Sequence, residues 1–191
     1  MPLITFSQIA ESQQKHTIFP VSVGVSHANA THGANFAEIK KALADIQPEN
    51  AYQFWTEGKW HLHNLIQFVA TNYCGPSELW LTSWTVTEEP ARVLVGMKEK
   101  GLLTSINCLF DYRIRDRKPK PLQLLLNATE THNYTRIHAK AAVLWNDTKP
   151  ACIVGSSNLS ANPRNEAGTL FTQIDLCRAN RDYINKKING N

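Results

Sequence analysis

Between residues 138 and 166 the chain gathers an imidazole and an ammonium two positions apart, His138 and Lys140, then a hydroxyl-rich glycine turn ending in an amide, Gly155-Ser156-Ser157-Asn158, and a carboxylate, Glu166. Set on a strand, His138 and Lys140 project to one face of a sheet, and Ile137, Ala139, Ala141 and Val143 line the other. Residues 146–150 are turn formers (Asn-Asp-Thr-Lys-Pro), so 151–154 reads as a return strand that delivers the glycine turn to the same end of the sheet. A cation, an imidazole and several hydrogen-bond donors then converge where an oxyanion would sit. Transfer at phosphorus requires such an arrangement.

The segment resembles the H-x-K…G-S-x-N signature of the phospholipase D superfamily, which includes phospholipases, small dimeric nucleases and other phosphodiesterases. His138 and Lys140 match its first half, Gly155, Ser156 and Asn158 its second, and Glu166 falls near the carboxylate that orients the family's nucleophilic histidine. The chain departs at one position. The family carries an acid five residues after the lysine; here Trp145 stands there, with Asp147 two residues later, and the gap from Lys140 to Gly155 is longer than usual.

The resemblance implies a role for each matched residue. His138 attacks phosphorus and forms a covalent phosphohistidine, which splits one difficult displacement into two easier ones. Lys140 and Asn158 hold the non-bridging oxygens. Glu166 accepts the other imidazole N–H and fixes the tautomer, as the acid does in a serine triad. Ser156 sits at the motif position, while Ser157 either contacts substrate or caps the next segment. No metal and no cofactor are implied. Protonating the leaving oxygen needs a second imidazole, and the chain has one H-x-K segment. His61 and His63 have no lysine or glycine-asparagine turn in register. A symmetric homodimer with facing His138 side chains is therefore the expectation.

Around this segment the densest basic run holds Arg113, Arg115, Arg117, Lys118 and Lys120. It reads either as a solvated loop or as a phosphate-tracking flank of the cleft. Arg136, two residues before His138, is expected on the same strand face and within reach of a phosphate. Trp55, Trp60, Trp80 and Trp84 read as core or interface aromatics; a stacking platform for bases would need exposed rings.

The elements that must position these residues alternate from residue 60 onward. Helical spacing covers 60–73 and stops at Gly75-Pro76; 78–86 is rich in strand formers. Thr87 is a cap candidate for a helix with Glu88 and Glu89 in its first turn, ending near Gly101. A strand over 104–112, a helix over 122–129, the motif hairpin, a strand over 169–174 and a basic helix over 176–187 complete the series. This alternation predicts an α/β fold, a layered α/β/α sandwich with a mixed, largely parallel sheet, and the phospholipase D resemblance implies the same layering. Residues 1–50, with a short strand over 19–25 and a helix over 35–46, read as an arm or add-on to a catalytic domain over 51–191. His27 and His32 lack the partners a metal site needs.

With 191 residues and a net charge of +4 from twenty Lys and Arg against sixteen Asp and Glu, the chain suits one α/β domain and leans towards an anionic partner. Four widely spaced cysteines without a C-x-x-C pair predict buried reduced thiols. The first residues lack a basic start and apolar core, and no run reaches membrane-spanning length, so a cytoplasmic protein is expected. The leading expectation is a metal-independent phosphodiesterase acting on nucleic acid. Two alternatives stand beside it: a phospholipase D-like module that binds DNA or a protein partner with little or no turnover, and a phospholipid hydrolase, disfavoured because no amphipathic or lipid-anchoring stretch stands out.

Overall fold

The computed structural model describes residues 32–43 and 45–190, and in them a seven-stranded sheet lies between two unequal helical layers. In chain order the elements are α1 (His32–Leu43), β1 (Ala51–Trp55), α2 (Leu62–Val69) running on into a π-helical turn (Ala70–Cys74), β2 (Ser77–Ser83), α3 (Glu88–Glu99), β3 (Leu103–Asp111), the one-turn α4 (Ile114–Arg117), α5 (Pro119–Leu126), β4 (Thr131–Thr135), β5 (Lys140–Trp145), β6 (Ala151–Gly155), β7 (Ala167–Phe171) and α6 (Ile174–Ile188). The strand expected over 19–25, His27 and the imidazole of His32 lie outside the described residues.

The strand order is β1-β7-β6-β5-β2-β3-β4. The sheet is mixed, as expected, with parallel pairing confined to β2–β3 and β3–β4. The other four ladders are antiparallel, so the parallel share is smaller than the alternation suggests. The reason is local: from β5 to β7 the strands are joined by connections without a crossover helix, which suit antiparallel neighbours.

One face of the sheet carries the main core. Leu79, Leu81, Ile106, Ala142, Leu144 and Ile153 pack there against Leu65, Ile66, Val69, Leu94 and Leu125 of the helices. Ile39, Ala42 and Leu43 of α1 join the same core, and Phe36 meets Phe68 edge-on at 5.5 Å. Residues 32–43 thus pack with the body of the chain. Among the described residues, α6 covers the opposite face. Its Cys177, Ile184 and Ile188, one helical stripe, close over Leu109, Val143, Trp145 and Cys152. Asp175 in the first turn of α6 and Lys186 and Lys187 in its last suit the helix dipole. The Asn133 side chain donates to the carbonyls of Lys187 and Ile188 and satisfies that end.

Several expected elements shift in detail. Gly75, at φ 74°, takes the left-handed conformation that ends the helix begun at residue 62. Thr87 is extended at the start of α3, but its hydroxyl does not cap the helix; it accepts from the Ala161 N–H at 3.1 Å. The four cysteines are free and buried, and burial pushes their thiols up.

Candidate active site

The ladder registers bring one end of every strand to a common rim. Trp55 pairs with Ala167, Gly155 with Gly168, Lys140 with Gly155, Ala141 with Thr82, and Asp111 with Thr135. The residues just beyond those positions are Thr56, Glu166, Ser156, His138, Trp84, Arg113 and Arg136. Both halves of the motif therefore meet through the Lys140–Gly155 pair, as the hairpin reading requires. Loops at the carboxyl ends of parallel strands are a favoured place for ligand sites.

Gly155 and Gly168 make the rim tight. A Cβ on Gly168 would lie 2.6 Å from the Phe54 ring and 2.8 Å from the Val154 carbonyl, and one on Gly155 would lie 2.6 Å from the Ala167 carbonyl. No larger residue fits either position without moving backbone.

His138 is not on a strand. β5 begins at Lys140, and His138 stands exposed in the connection from β4. The ladder stops because the Thr82 hydroxyl replaces it, donating to the Ala139 carbonyl at 3.0 Å and accepting the Ala141 N–H at 2.9 Å. On the other side of His138, the buried Asp111 carboxylate accepts from the Ile137 N–H and from Arg113. The guanidinium holds that carboxyl below the usual carboxylate range, the Ile137 N–H adding to it against the effect of burial. Thr82 and Asp111 fix the backbone on both sides of the imidazole. Neither stands out in the sequence, since each acts on residues far along the chain. Arg136, likewise off the strand, is exposed in a bend.

Lys140 is buried, and its Nζ donates to the His138 carbonyl at 2.7 Å. It lies 3.1 Å from both ring nitrogens of His138, equidistant from the two. Burial pulls the lysine below its ordinary value, and the Glu166 charge pushes the other way. Glu166, expected against the His138 ring, is bonded by the Ser156 hydroxyl instead. Its backbone is tied to Thr56 through N–H and carbonyl, at 3.0 and 2.8 Å. Ser157 lines a small pocket with Lys140, Gly155 and Ala167, whereas the Ser156 hydroxyl is occupied by Glu166 and the Ala167 backbone. Asn158 has a buried Oδ1 with no hydrogen-bond partner among the described residues.

The basic run divides. Arg113 forks onto Asp111 at 2.7 and 3.0 Å. Arg115 lies over Tyr134 at 4.9 Å, and Arg117 lies over Trp84 at 4.7 Å. Trp84 in turn meets the His138 ring at 6.1 Å. His61, at the start of α2, belongs to no second H-x-K segment. It is half-buried beside His63, with ring centroids 5.7 Å apart; burial pulls its imidazole below the ordinary value, and the charges of Glu89 and Glu166 push the other way. A groove of about 880 Å³ between α1, α2 and α3 contains none of the motif residues.

The position of Trp145 explains the departure from the motif. Five residues of strand separate it from Lys140, about 16 Å, and it lies under α6 with the Arg181 guanidinium 3.9 Å from its ring. A side chain there packs the opposite end of the sheet.

No family model and no curated protein sequence matches the chain. Solved structures do. NucT from Helicobacter pylori superposes with a TM-score of 0.55 at 16% identity, covering 72% of this chain and 94% of that one. Polyphosphate kinase from Porphyromonas gingivalis gives 0.54 at 14%, covering 74% of this chain and 26% of that one. The archaeal chromatin protein TrmBL2, whose structure is described as showing a novel mode of DNA binding, gives 0.50 at 9%, covering 78% and 56%. With the H-x-K and G-S-x-N segments meeting at one rim of a mixed α/β sheet, the chain shares the fold of these structures, the layering that the phospholipase D resemblance implies.

Proposed function

We propose that this chain is a phosphodiesterase acting on nucleic acid, with His138 as nucleophile and no metal required. One observation carries the reading: an exposed imidazole is held at the rim beside a buried ammonium, opposite the glycine turn that the Lys140–Gly155 pairing brings there. An imidazole nitrogen attacks phosphorus, the P–O bond to the leaving group breaks, and a second imidazole gives that oxygen its proton. Water then attacks the N–P bond and loses its proton to the same second imidazole, which restores both groups. Lys140 offsets charge on the non-bridging oxygens, with the Asn158 amide beside it. Glu166 is better suited to keeping Lys140 charged than to orienting His138, since its carboxylate is engaged by Ser156.

The second imidazole is assigned to His138 of a second copy in a symmetric dimer. On the face covered by α6 the sheet leaves Val154, 39% exposed, and Trp55, 48% exposed, uncovered, and α6 itself presents Leu176 and Tyr183. Val154 is in phase with Cys152 of the smaller core, and Trp55 alternates with Phe54 of the main core. Apolar area at the site end of that face suits a second copy. A nucleic-acid substrate is supported by the positive balance and by the DNA binding described for TrmBL2. Among the described residues no helix is long and apolar enough to cross a membrane. The buried free thiols fit a reducing compartment such as the cytoplasm. The engaged Glu166 favours one other reading, a module that binds nucleic acid with little turnover.

Hydrolysis of bis(p-nitrophenyl) phosphate in the presence of a chelator separates these readings. Cleavage that survives chelation and is lost in His138→Ala is expected. Absence of cleavage by the unmodified chain would favour the binding module, and dependence on added magnesium would overturn the metal-independent mechanism.

A further inference from the structure

Trp84 leaves the sheet one residue beyond β2 and meets three groups at the rim. Its ring lies 6.1 Å from the His138 ring in an edge-on arrangement, 4.7 Å from the Arg117 guanidinium and 5.5 Å from that of Arg113. The two arginines differ in what they have left to offer. Arg113 has its fork on Asp111, and that pair holds the backbone next to His138. Arg117 is exposed, and its side-chain contact among the described residues is the indole. A guanidinium laid over a ring keeps its N–H edge available for an anion. The indole Nε1 is itself a buried donor with no hydrogen-bond partner among the described residues. A donor and a cation thus stand beside the imidazole that Lys140 also approaches.

We propose that Trp84 and Arg117 form a subsite for a second phosphate next to the one that His138 attacks. Such a subsite selects a substrate class: a run of phosphodiesters, or a diester carrying a neighbouring phosphate, in preference to an isolated diester. This rests on the phosphodiesterase reading and narrows it. Trp84 holds the Arg117 guanidinium beside the site through its ring and offers its indole N–H to the same phosphate, while Arg117 supplies the charge. Phosphate rather than base is the ligand because the guanidinium already lies over the indole ring, where a stacked base would have to displace it.

The test uses equilibrium binding, so that it does not depend on turnover. The full chain carrying His138→Ala is titrated calorimetrically, with chelator present, with a dithymidine monophosphate and with the same dinucleotide bearing an added 5′- or 3′-terminal phosphate. One added terminal phosphate should tighten binding by about tenfold, the worth of one charge-assisted contact. Arg117→Gln, an exposed change that leaves the core untouched, should erase that gain, and Arg117→Lys should restore part of it. Trp84→Phe keeps a ring under the guanidinium but removes the indole donor, and should leave a reduced gain. Equal binding of the ligands, no binding of either, or a gain that survives Arg117→Gln would overturn the subsite. Cleavage of bis(p-nitrophenyl) phosphate by the unmodified chain judges the phosphodiesterase reading separately, since that ester has one phosphate and makes no use of the subsite.

Discussion

The two ends of β5 are built to opposite purposes. At the Lys140 end the strand opens onto an exposed histidine, a buried ammonium and an amide oxygen with no hydrogen-bond partner among the described residues. At the Trp145 end the same strand finishes under α6, with Trp145 8% exposed and Arg181 against its ring. Between them Ala142 and Leu144 sit in the main core and Val143 in the smaller one. The contrast teaches that the motif's acid position is separable from its chemistry in this chain. One end presents a cation and an imidazole to an anionic ligand, and the other is packed to hold the strand.

The largest effect expected from this contrast is at His138. His138→Ala should reduce kcat on a simple diester by on the order of 10³-fold or more, with little change in melting temperature because the side chain is exposed. Steady-state kinetics together with thermal unfolding checks both halves. Trp145→Ala should do the reverse, costing about 3–5 kcal/mol of stability through the cavity it leaves while kcat stays near that of the parent. Trp145→Asp restores the acid seen in the family, yet should not raise kcat, since about 16 Å of strand separates it from Lys140. A gain in kcat from that substitution would break the comparison.

Thr82→Val should fall between these extremes. It removes the two hydrogen bonds that shape the backbone around Ala139 at a cost of about 1–2 kcal/mol. It should lower kcat more than it changes KM, since the imidazole is displaced but the anion-binding groups remain. A KM change without a kcat change would mean that Thr82 does not position His138.

The smallest expected effect is in the pH profile. Burial holds Lys140 below its ordinary value, and the Glu166 charge partly restores it. The alkaline loss of activity should therefore begin below the range of a free lysine, and Glu166→Gln should move it lower still. For stability the sign is opposite to that of an ordinary lysine salt bridge. The protonated Lys140 disfavours the folded state below its folded pKa, and this cost fades as pH rises towards the unfolded value. An alkaline limb that moves upward in Glu166→Gln would contradict the assignment.

Much of this organisation is written in local sequence, and what is hidden has identifiable causes. The helices at α2, α3 and α6 declare themselves through apolar spacing and end residues such as Gly75. The motif hairpin does so through its turn formers. β4 is a polar edge strand, Thr-His-Asn-Tyr-Thr, without the alternation that marks a half-buried strand. α4 is one turn inside a basic run, where charge masks periodicity. β1 is short and pairs with β7, more than a hundred residues along the chain. At the site, the residue types and their convergence are local information. The roles of Thr82, Asp111 and Trp84 are not, because each exists only once β2, β3 and β5 are side by side. Glu166 shows the limit from the other direction: its position comes from the motif, but its partner is settled by which hydroxyl the β6–β7 pairing brings closest.

The central claim is that His138 becomes covalently phosphorylated during turnover. The direct measurement is to quench the chain under alkaline conditions while it cleaves a diester in the presence of chelator, then map the adduct by mass spectrometry. A base-stable, acid-labile phosphoryl adduct on the peptide containing His138, at one per two chains and absent from His138→Ala, is the predicted result. Turnover with no adduct on that peptide under conditions where phosphohistidine survives, or an adduct on another residue, would contradict the account.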